Sequence, residues 1–237
     1  MPSVSLQPGY ILHARAYRES SFLLEVFSRD SGRVGLVARG ARGVRSPWKN
    51  LLQPFRPLLL GWTLRGELGT LTHAEQVASL PQAQGESLFC GLYANEILLR
   101  ALHRSDPHPE MFESYRALLI ELATQSQPQP SLRIFERNLL QALGLGMQLE
   151  FEHGSGLPVA ADAVYRYLPE SGPVRMSARE VQDRPELDGQ VVSGAALLAL
   201  QSSVIEACHL PELKRLMRAL LRYHLGDKPL KTLSLFH

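Results

Sequence analysis

Cysteine is scarce in this chain, and no long apolar run is present. The 237 residues include two cysteines, too few for a disulfide framework or a cysteine-based zinc site. The longest apolar run, residues 57–64, is far shorter than the roughly 18 residues that cross a bilayer. The first residues also lack the basic and apolar pattern of a signal peptide. These absences argue against a disulfide-rich secreted protein and a membrane protein, and we expect a globular, cytoplasmic one.

Motifs of common catalytic sites are missing as well. The sequence has no P-loop, dinucleotide-binding fingerprint, nucleophile elbow or zinc-protease motif. His103 and His108 flank Pro107, which breaks the helix that a pair of metal ligands would need. Cys208 and His209 are adjacent but have no second ligand pair nearby. We therefore expect a protein that is not an enzyme and holds no metal or cofactor.

Acidic residues are absent from residues 31–66, although the whole chain is nearly neutral. The chain has 25 basic and 23 acidic residues, but seven basic side chains and no acidic one lie between Asp30 and Glu67. Residues 1–80 contain ten basic and five acidic residues, whereas residues 81–237 contain fifteen and eighteen. This asymmetry predicts a positive potential on the N-terminal part, which favours a polyanionic partner. A solvated arginine-rich loop without such a partner is the alternative.

Turn residues divide the first 80 residues into five apolar segments. Alternation of apolar and polar side chains between the turns is typical of strands. The predicted strands are Tyr10–Tyr17, Ser21–Ser28, Arg33–Ala38, Gln53–Thr63 and Gly69–Ala78. Pro54 and Pro57 indicate an edge or a bulge in the fourth strand. Five short strands favour a small barrel or sandwich.

The hydrophobic period changes from that of strands to that of helices after Pro81. The predicted helices span residues 85–104, 110–124, 131–143, 193–202 and 211–225. Ser131 and Ser193 are suitable N-caps, and Gly226 follows the last predicted helix. A short strand is predicted at Val164–Leu168.

The change of period divides the chain into two predicted domains. We expect a β domain at residues 1–80 and a mainly α-helical domain at residues 81–237. The helical domain contains an irregular insert at about residues 147–168. The fold class is therefore α+β with more than one domain.

Five segments of the sequence resemble one protein family. They are Gly32–Arg42 (GRVGLVARGAR), Leu52–Phe55 (LQPF), Gly91–Leu98 (GLYANEIL), Arg133–Gly144 (RIFERNLLQALG) and Gly226–Phe236 (GDKPLKTLSLF). In this order they resemble the bacterial recombination mediator family RecO over almost the full length of the chain. The resemblance implies an N-terminal five-stranded OB-fold β-barrel followed by a mainly α-helical domain.

The resemblance also implies a function in DNA repair. RecO-like proteins bind single- and double-stranded DNA and anneal complementary strands without hydrolysing a nucleotide. Together with RecR they load RecA onto strands covered by single-strand-binding protein (SSB), so we expect association with the nucleoid. An OB-fold RNA-binding protein, a nuclease and a protein-interaction adaptor are the alternatives. The absence of carboxylates from residues 31–66 argues against the nuclease.

The basic residues of the N-terminal part are the candidate DNA-binding residues. Guanidinium groups neutralise phosphates without reading sequence, as strand annealing requires. The candidates are Arg33, Arg39, Arg42, Arg45 and Lys49, with Arg18 and Arg56 as second choices. Trp48 lies in the same loop and is either a stacking surface for a base or a plug that closes one end of the barrel.

The resemblance places a partner site in the helical domain, where the acidic, Phe-ended tail of SSB docks. Such a ligand needs an apolar slot and a cation for its terminal carboxylate. Arg133 is the first candidate for this cation, with an i, i+3 ion pair to Glu136 as the alternative. Further candidates are the basic residues of the last helix, Lys214, Arg215, Arg218 and Arg222. These residues either attract the tail, extend the DNA track or form a solvated face.

The insert at residues 147–168 departs from a pattern found in part of the family. Some members carry a four-cysteine zinc module in the helical domain. The corresponding segment here contains His153 and no cysteine. We therefore predict no zinc, and a segment held by packing and turns alone.

Overall fold

A computed structural model describes residues 3–48, 50–66, 68–78, 81, 83–177, 179–180 and 190–232. The chain divides into two compact units. The barrel unit comprises Met1–Ser126 and Leu230–His237, and the second unit comprises Gln127–Pro229. The barrel unit thus continues past the change of hydrophobic period, and a domain boundary near residue 80 stays a prediction.

Five strands close into a barrel in the barrel unit. They are β1 (Ser3–Tyr17), β2 (Ser21–Ser28), β3 (Gly32–Ala38), β4 (Leu58–Arg65) and β5 (Leu68–Gln76). Their order around the barrel is β1-β2-β3-β5-β4, and neighbours are antiparallel except for β3 and β5, which run parallel. The expected five-stranded barrel is therefore confirmed. Closure pairs every strand on both sides, which removes exposed sheet edges.

Alternation along the strands builds the barrel core. Ile11, Leu24, Leu36, Leu60 and Trp62 point inward and are fully buried. Burying each such side chain stabilises the fold by roughly 1.5–3 kcal/mol. The residues between them point outward, so each strand presents a second face for helices or ligands.

Two helices cover part of the outer face of the barrel. They are α1 (Gly85–Ala101) and α2 (Pro109–Thr124). Tyr10 of β1 and Phe27 of β2 lie opposite each other on the outer face. Both rings contact Phe112 and Tyr115 of α2, with ring centroids 5.2–6.3 Å apart. Such aromatic pairs contribute about 0.5–1.5 kcal/mol each beyond their burial, and they join α2 to the barrel.

The end of the described chain returns to the barrel unit. Glu96 of α1 accepts hydrogen bonds from the backbone N–H groups of Lys231 and Thr232, both at 2.9 Å, and from the Thr232 hydroxyl at 2.7 Å. Burial acts to raise the pKa of Glu96, but these hydrogen bonds outweigh it and the pKa lies below its ordinary value. A charged carboxylate on α1 therefore holds this segment.

In its described residues, the second unit combines a small sheet with three α-helices and the short 3₁₀ helix Ala207–His209. Its elements are α3 (Gln129–Ala142), β6 (Val164–Leu168), β7 (Gly172–Arg175), β8 (Gln190–Ser193), α4 (Gly194–Ser202) and α5 (Leu210–Leu225). The strands form an antiparallel sheet with β6 in the centre. A barrel followed by a helical region confirms the expected fold class. Among the described residues, no helix has the length and hydropathy that a bilayer crossing requires.

Several element ends differ from those that the sequence predicts. The α4 helix begins as expected, because the Ser193 hydroxyl accepts a hydrogen bond from the Ala196 N–H at 3.2 Å. The α3 helix begins at Gln129, so the prediction of Ser131 as its N-cap is wrong, and a proline lies in the first turn instead. The β4 strand begins at Leu58, since the two prolines before it lack a ladder N–H.

Candidate nucleic-acid interface

The turn between β1 and β2 meets the loop after β3 at one end of the barrel. The backbone N–H of Arg42 donates a hydrogen bond to the carbonyl oxygen of Ser20 at 2.8 Å. The Arg42 side chain also donates, through Nη1, to the carbonyl oxygens of Arg18 and Glu19 at 3.3 Å each. These bonds bring two candidate DNA-binding arginines, 24 residues apart in the sequence, to the same surface.

The loop after β3 is folded into consecutive turns. The N–H of Gly43 donates to the carbonyl of Gly40 at 3.1 Å, and the N–H of Ser46 donates to the carbonyl of Gly43 at 3.0 Å. Gly40 has a φ of 68°, which glycine adopts without the strain that a side chain would cause. The loop therefore has a defined shape on which charged side chains are displayed.

Arg39 and Arg45 are exposed on this loop. Neither forms a hydrogen bond or an ion pair with any residue that the structure describes. A guanidinium without an internal partner keeps all five of its N–H donors for a ligand. These two arginines thus have the chemistry of an open oxyanion-binding surface.

The outer face of β1 continues this surface along the barrel. Arg15 pairs with Leu23 of β2, which pairs with Val37 of β3, so the three residues form one row across the sheet. Arg15 is exposed, and Tyr17 occupies the next outward position on β1. The Arg18 guanidinium lies over the Tyr17 ring, 5.2 Å from its centroid. The face thus combines cations with an aromatic ring.

We call this group the arginine cluster. Its members are Arg15, Arg18, Arg39, Arg42 and Arg45, with Tyr17 among them. The same turn contributes one carboxylate, that of Glu19, so positive charge dominates the surface. OB-folds bind oligonucleotides on strands 2 and 3 and on the loop between strands 1 and 2. Arg18 lies on the loop between strands 1 and 2, and Arg39, Arg42 and Arg45 follow directly after strand 3.

Arg33 lies outside the arginine cluster and is engaged within the protein. Its Nη1 donates to the carbonyl oxygen of Leu99 on α1, and its Nε lies 3.8 Å from Glu25 Oε2. The side chain is 19% exposed. Its donors are directed at internal acceptors, so Arg33 has a structural role in fastening β3 to α1.

The other candidates of the N-terminal part are placed differently. Arg56 lines a cavity of about 520 Å³ and lies two residues before Leu58, which pairs with Gly9. Gly9 is eight residues from Tyr17 on β1, about 26 Å along a strand, so Arg56 is distant from the arginine cluster. Lys49 lies outside the described residues.

Trp48 packs against the barrel. Its side chain is half-buried and contacts the core residues of the barrel interior. The backbone N–H of Trp48 donates to the Ser46 hydroxyl at 3.2 Å, which ties the chain at Trp48 to the preceding turn. The contacts favour the interpretation of Trp48 as a plug over that of a stacking surface.

Two family models together match nearly all of the chain. The model described as Recombination protein O N terminal matches residues 1–80, and that described as Recombination protein O C terminal matches residues 82–234. A DNA repair protein RecO from Nitrosococcus oceani is 48% identical over 98% of this chain and 92% of that protein. Those of Alkalilimnicola ehrlichii and one Haemophilus influenzae strain are 45% and 41% identical, each over 98% of this chain and over 91% and 95% of those proteins.

The chain belongs to the RecO family. The sequence resemblance is thereby confirmed, and the family makes this chain a DNA repair and recombination protein. The confirmed fold and family give the arginine cluster a biochemical context.

Arg133, the first candidate for a partner site in this RecO-family chain, is buried. Its side chain is 3% exposed, and Nη1 lies 2.9 Å from Oε2 of the fully buried Glu136. The i, i+3 pair that the sequence leaves open as an alternative is therefore present. A ligand carboxylate would have to displace Glu136 to reach this guanidinium.

The α5 helix presents arginines on the face opposite its core. Leu213, Leu216, Met217, Leu220 and Leu221 form its buried side. At 100° per residue, three basic residues fall on the opposite side. This arginine stripe consists of the exposed Arg215 and Arg222 and the half-buried Arg218, with the half-buried Lys214 on its flank. Arg222 Nε lies 3.6 Å from Oδ1 of the exposed Asp227, and exposed pairs of this kind contribute little stability.

A buried carboxylate organises the insert at residues 147–168. Glu152 accepts hydrogen bonds from the Ser155 hydroxyl at 2.7 Å, the Tyr165 hydroxyl at 2.9 Å and Arg175 Nη1 at 3.4 Å. The Ser155 bond is the main reason that the pKa of Glu152 lies below its ordinary value. The expectation that packing and turns alone hold this segment is therefore wrong, because a charged hydrogen-bond network lies at its centre.

One group of metal-ligating side chains is found in the described part of the second unit. Glu206, Cys208 and His209 place one ligand atom each within 4.8 Å of one another on a turn before α5. Glu206 and Cys208 are exposed and belong to the same short turn as His209. Structural zinc sites use four protein ligands, and this turn supplies three. The absence of a metal site stays a prediction.

Charge counting along the sequence overlooks Arg15. The signal that identifies it is the alternation in the first strand, which puts Arg15 on the same face as His13 and Tyr17. Because β1 pairs with β2 and β2 pairs with β3, the outward face that bears Arg15 continues across the sheet to the loop after β3. The arginine cluster is thus formed by three segments of the chain.

Proposed function

We propose that this protein binds single- and double-stranded DNA through the arginine cluster and anneals complementary strands. The observation that carries the proposal is the exposed cluster on a closed barrel, in a chain of a DNA repair family. Annealing requires that the repulsion between two phosphate backbones is lowered without reading their sequence. Arginines do this by displacing counterions from the phosphates.

The aromatic ring in the cluster suits single-stranded DNA in particular. Tyr17 lies between the cations, with the Arg18 guanidinium over its ring. Unpaired bases stack on such rings, and each stacked base contributes about 1–3 kcal/mol. Phosphate contacts from the arginines and stacking on Tyr17 can act on the same strand.

A double variant tests this assignment. Arg39→Ala with Arg45→Ala should weaken binding to a labelled oligonucleotide and make its salt dependence less steep. Each phosphate contact removed lowers the slope of log K against log salt by about 0.7 for single strands. Arg116→Ala is the control, because Arg116 is an exposed cation on α2 whose partner is Glu113 at 2.9 Å. Unchanged affinity and slope in the double variant would remove the cluster from the DNA site.

The mediator function involves protein partners as well as DNA. We propose that the protein acts with RecR and SSB to promote loading of RecA, and that the acidic tail of SSB docks on the second unit. The arginine stripe of α5, with Arg215 and Arg222 exposed and Arg218 half-buried, suits an acidic peptide. A tail peptide should bind more weakly to a variant with Arg215→Ala and Arg218→Ala. An unchanged affinity would remove the stripe from the tail site.

Strand annealing on SSB-coated DNA tests the two parts together. Complementary oligonucleotides coated with SSB should anneal faster with the parent protein than with either the cluster variant or the stripe variant. On bare DNA, only the cluster variant should be slow. Incubation with labelled DNA and Mg²⁺ should leave the DNA intact, and fragments would contradict the proposal of a non-enzymatic mediator.

A further inference from the structure

The segment that connects α1 and α2 lies against the outer face of β2 and β3 in the barrel unit. Arg104 donates through Nη2 to Glu25 Oε1, and the N–H of Ser105 donates to the carbonyl of Arg33 at 2.9 Å. The Arg104 side chain is 39% exposed, whereas that of Glu25 is 20% exposed. Arg104 therefore covers the Glu25 carboxylate and keeps part of its own guanidinium open to solvent.

Glu25 is the only acidic residue within β1, β2 and β3. It lies on the outward face, one row from Arg15 and Leu23 of the arginine cluster's face. Rows on one face of a strand are about 6.8 Å apart, which is within the range of electrostatic repulsion on a bound phosphate. An unpaired carboxylate at this position would repel a phosphate bound to the arginine cluster and so lower its affinity.

Two arginines offset this one carboxylate. Arg33 Nε and Arg104 Nη2 both face Glu25, so the three side chains carry a net charge of +1. Arg33 is directed inward to the Leu99 carbonyl. The open charge of the group is therefore that of Arg104, on the solvent side.

Glycine at position 35 makes room for Arg104. Gly35 pairs with Glu25 across β2 and β3, on the outward face. A Cβ atom on Gly35 would lie 2.5 Å from Arg104 Nη1 and 3.1 Å from Leu68 Cδ1. Both neighbours are the ends of flexible side chains, so a methyl group there would displace the guanidinium without breaking the strand. Because Gly35 has no side chain, the Arg104 guanidinium can lie against the backbone of β3, one row from Val37.

We infer that Arg104 is a further phosphate-contacting residue, which extends the arginine cluster into a track along the outer face of β1, β2 and β3. Glu25 is the counter-charge that limits the strength of this track. The inference rests on the proposed function and adds to it a residue from outside the five strands. The ligand is the phosphate backbone of a nucleic-acid strand, recognised by charge-assisted hydrogen bonds from guanidinium groups.

Opposite substitutions in the same ion pair test the inference. Arg104→Ala should weaken binding to a labelled single strand several-fold and lower the salt slope by about 0.7. Glu25→Gln should strengthen binding several-fold, because it removes the negative charge and releases Arg104. If the ion pair has only a structural role, neither Arg104→Ala nor Glu25→Gln should increase the affinity for the single strand. Weaker or unchanged binding in Glu25→Gln therefore overturns the inference.

Gly35→Ala tests the role of Arg104 independently, because the added methyl group should displace the Arg104 guanidinium. It should reproduce the weaker binding of Arg104→Ala, and adding it to Arg104→Ala should have no further effect. Thermal unfolding of each variant identifies losses that come from misfolding, and Arg116→Ala serves as the control for removal of a charge. If the Arg39 and Arg45 double variant loses binding while Arg104→Ala does not, this inference fails and the proposed function stands. If neither loses binding, the proposed function itself fails.

Discussion

The carbonyl oxygen of Ser20 accepts a hydrogen bond from the backbone N–H of Arg42 at 2.8 Å. This bond joins the β1–β2 turn to the loop after β3 whatever side chain residue 42 carries, proline excepted. The Arg42 guanidinium adds two longer bonds of 3.3 Å to the same turn. The side chain therefore tethers the turn, and in the function that we propose its remaining N–H groups also contact a phosphate.

The first prediction separates these two roles. Arg42→Ala and Arg39→Ala should each weaken DNA binding by about 1 kcal/mol, roughly fivefold, since each removes one solvent-exposed charged contact. Only Arg42→Ala should also accelerate hydrogen exchange at the backbone of residues 18–20, because only Arg42 bonds that turn. Mass spectrometry of exchanged peptides measures this. Equal exchange in the two variants would show that the Arg42 side chain does not tether the turn.

The second prediction concerns Trp48. Its ring packs on the barrel core but is only half-buried, so Trp48→Ala should lower the free energy of unfolding by about 2 kcal/mol, less than a fully buried tryptophan. The DNA affinity of the folded variant should equal that of the parent. Urea unfolding and DNA titration measure the two quantities, and Trp48→Phe, which keeps much of the packing, is the control. A stable Trp48→Ala variant with weaker DNA binding would favour the stacking interpretation.

Local signals in the sequence predict many of the element boundaries. The strands Ser21–Ser28 and Val164–Leu168 have the predicted bounds, because turn residues flank both. The four-residue strands β7 and β8 are not predicted. Each is defined only by its pairing with β6, and β7 begins with Gly172-Pro173, a pair that is typical of a turn.

Arg15 and Arg33 show why pattern alone predicts the site only in part. Both alternate onto the outward face of their strands. Arg15 is exposed, whereas Arg33 bonds the carbonyl of Leu99, 66 residues further along the chain. Whether an outward arginine meets solvent depends on which helix covers it, and a sequence pattern does not contain that contact.

The third prediction concerns the buried pair of Arg133 and Glu136. Arg133→Met alone should lower the free energy of unfolding by about 3–5 kcal/mol, because it leaves a buried carboxylate without its countercharge. Adding Glu136→Leu should recover most of that loss. Urea unfolding measures both variants. The SSB tail peptide should bind the double variant with the same affinity as the parent protein. A weaker affinity in a well-folded double variant would indicate that Arg133 belongs to the docking site.

The last prediction follows from the carboxylate in the insert. Hydrogen bonding from Ser155, assisted by Tyr165 and Arg175, holds the pKa of Glu152 below 4.5, the ordinary value for glutamate. A group whose pKa is lower in the folded state contributes stability above its unfolded pKa. It loses that contribution as the pH falls through the folded pKa. The network therefore stabilises the second unit at neutral pH and weakens in acid.

Glu152→Gln should accordingly be less stable than the parent by about 1–3 kcal/mol at neutral pH, since it removes a buried charged acceptor. The difference should shrink as the pH falls below 4.5, the ordinary pKa of glutamate, and through the lower pKa of the folded protein, where the parent carboxylate becomes protonated too. Urea unfolding of both proteins across this range measures it, with Glu113→Gln as the control for loss of an exposed carboxylate. A stability difference that is the same at every pH would mean that shape rather than charge at Glu152 holds the insert.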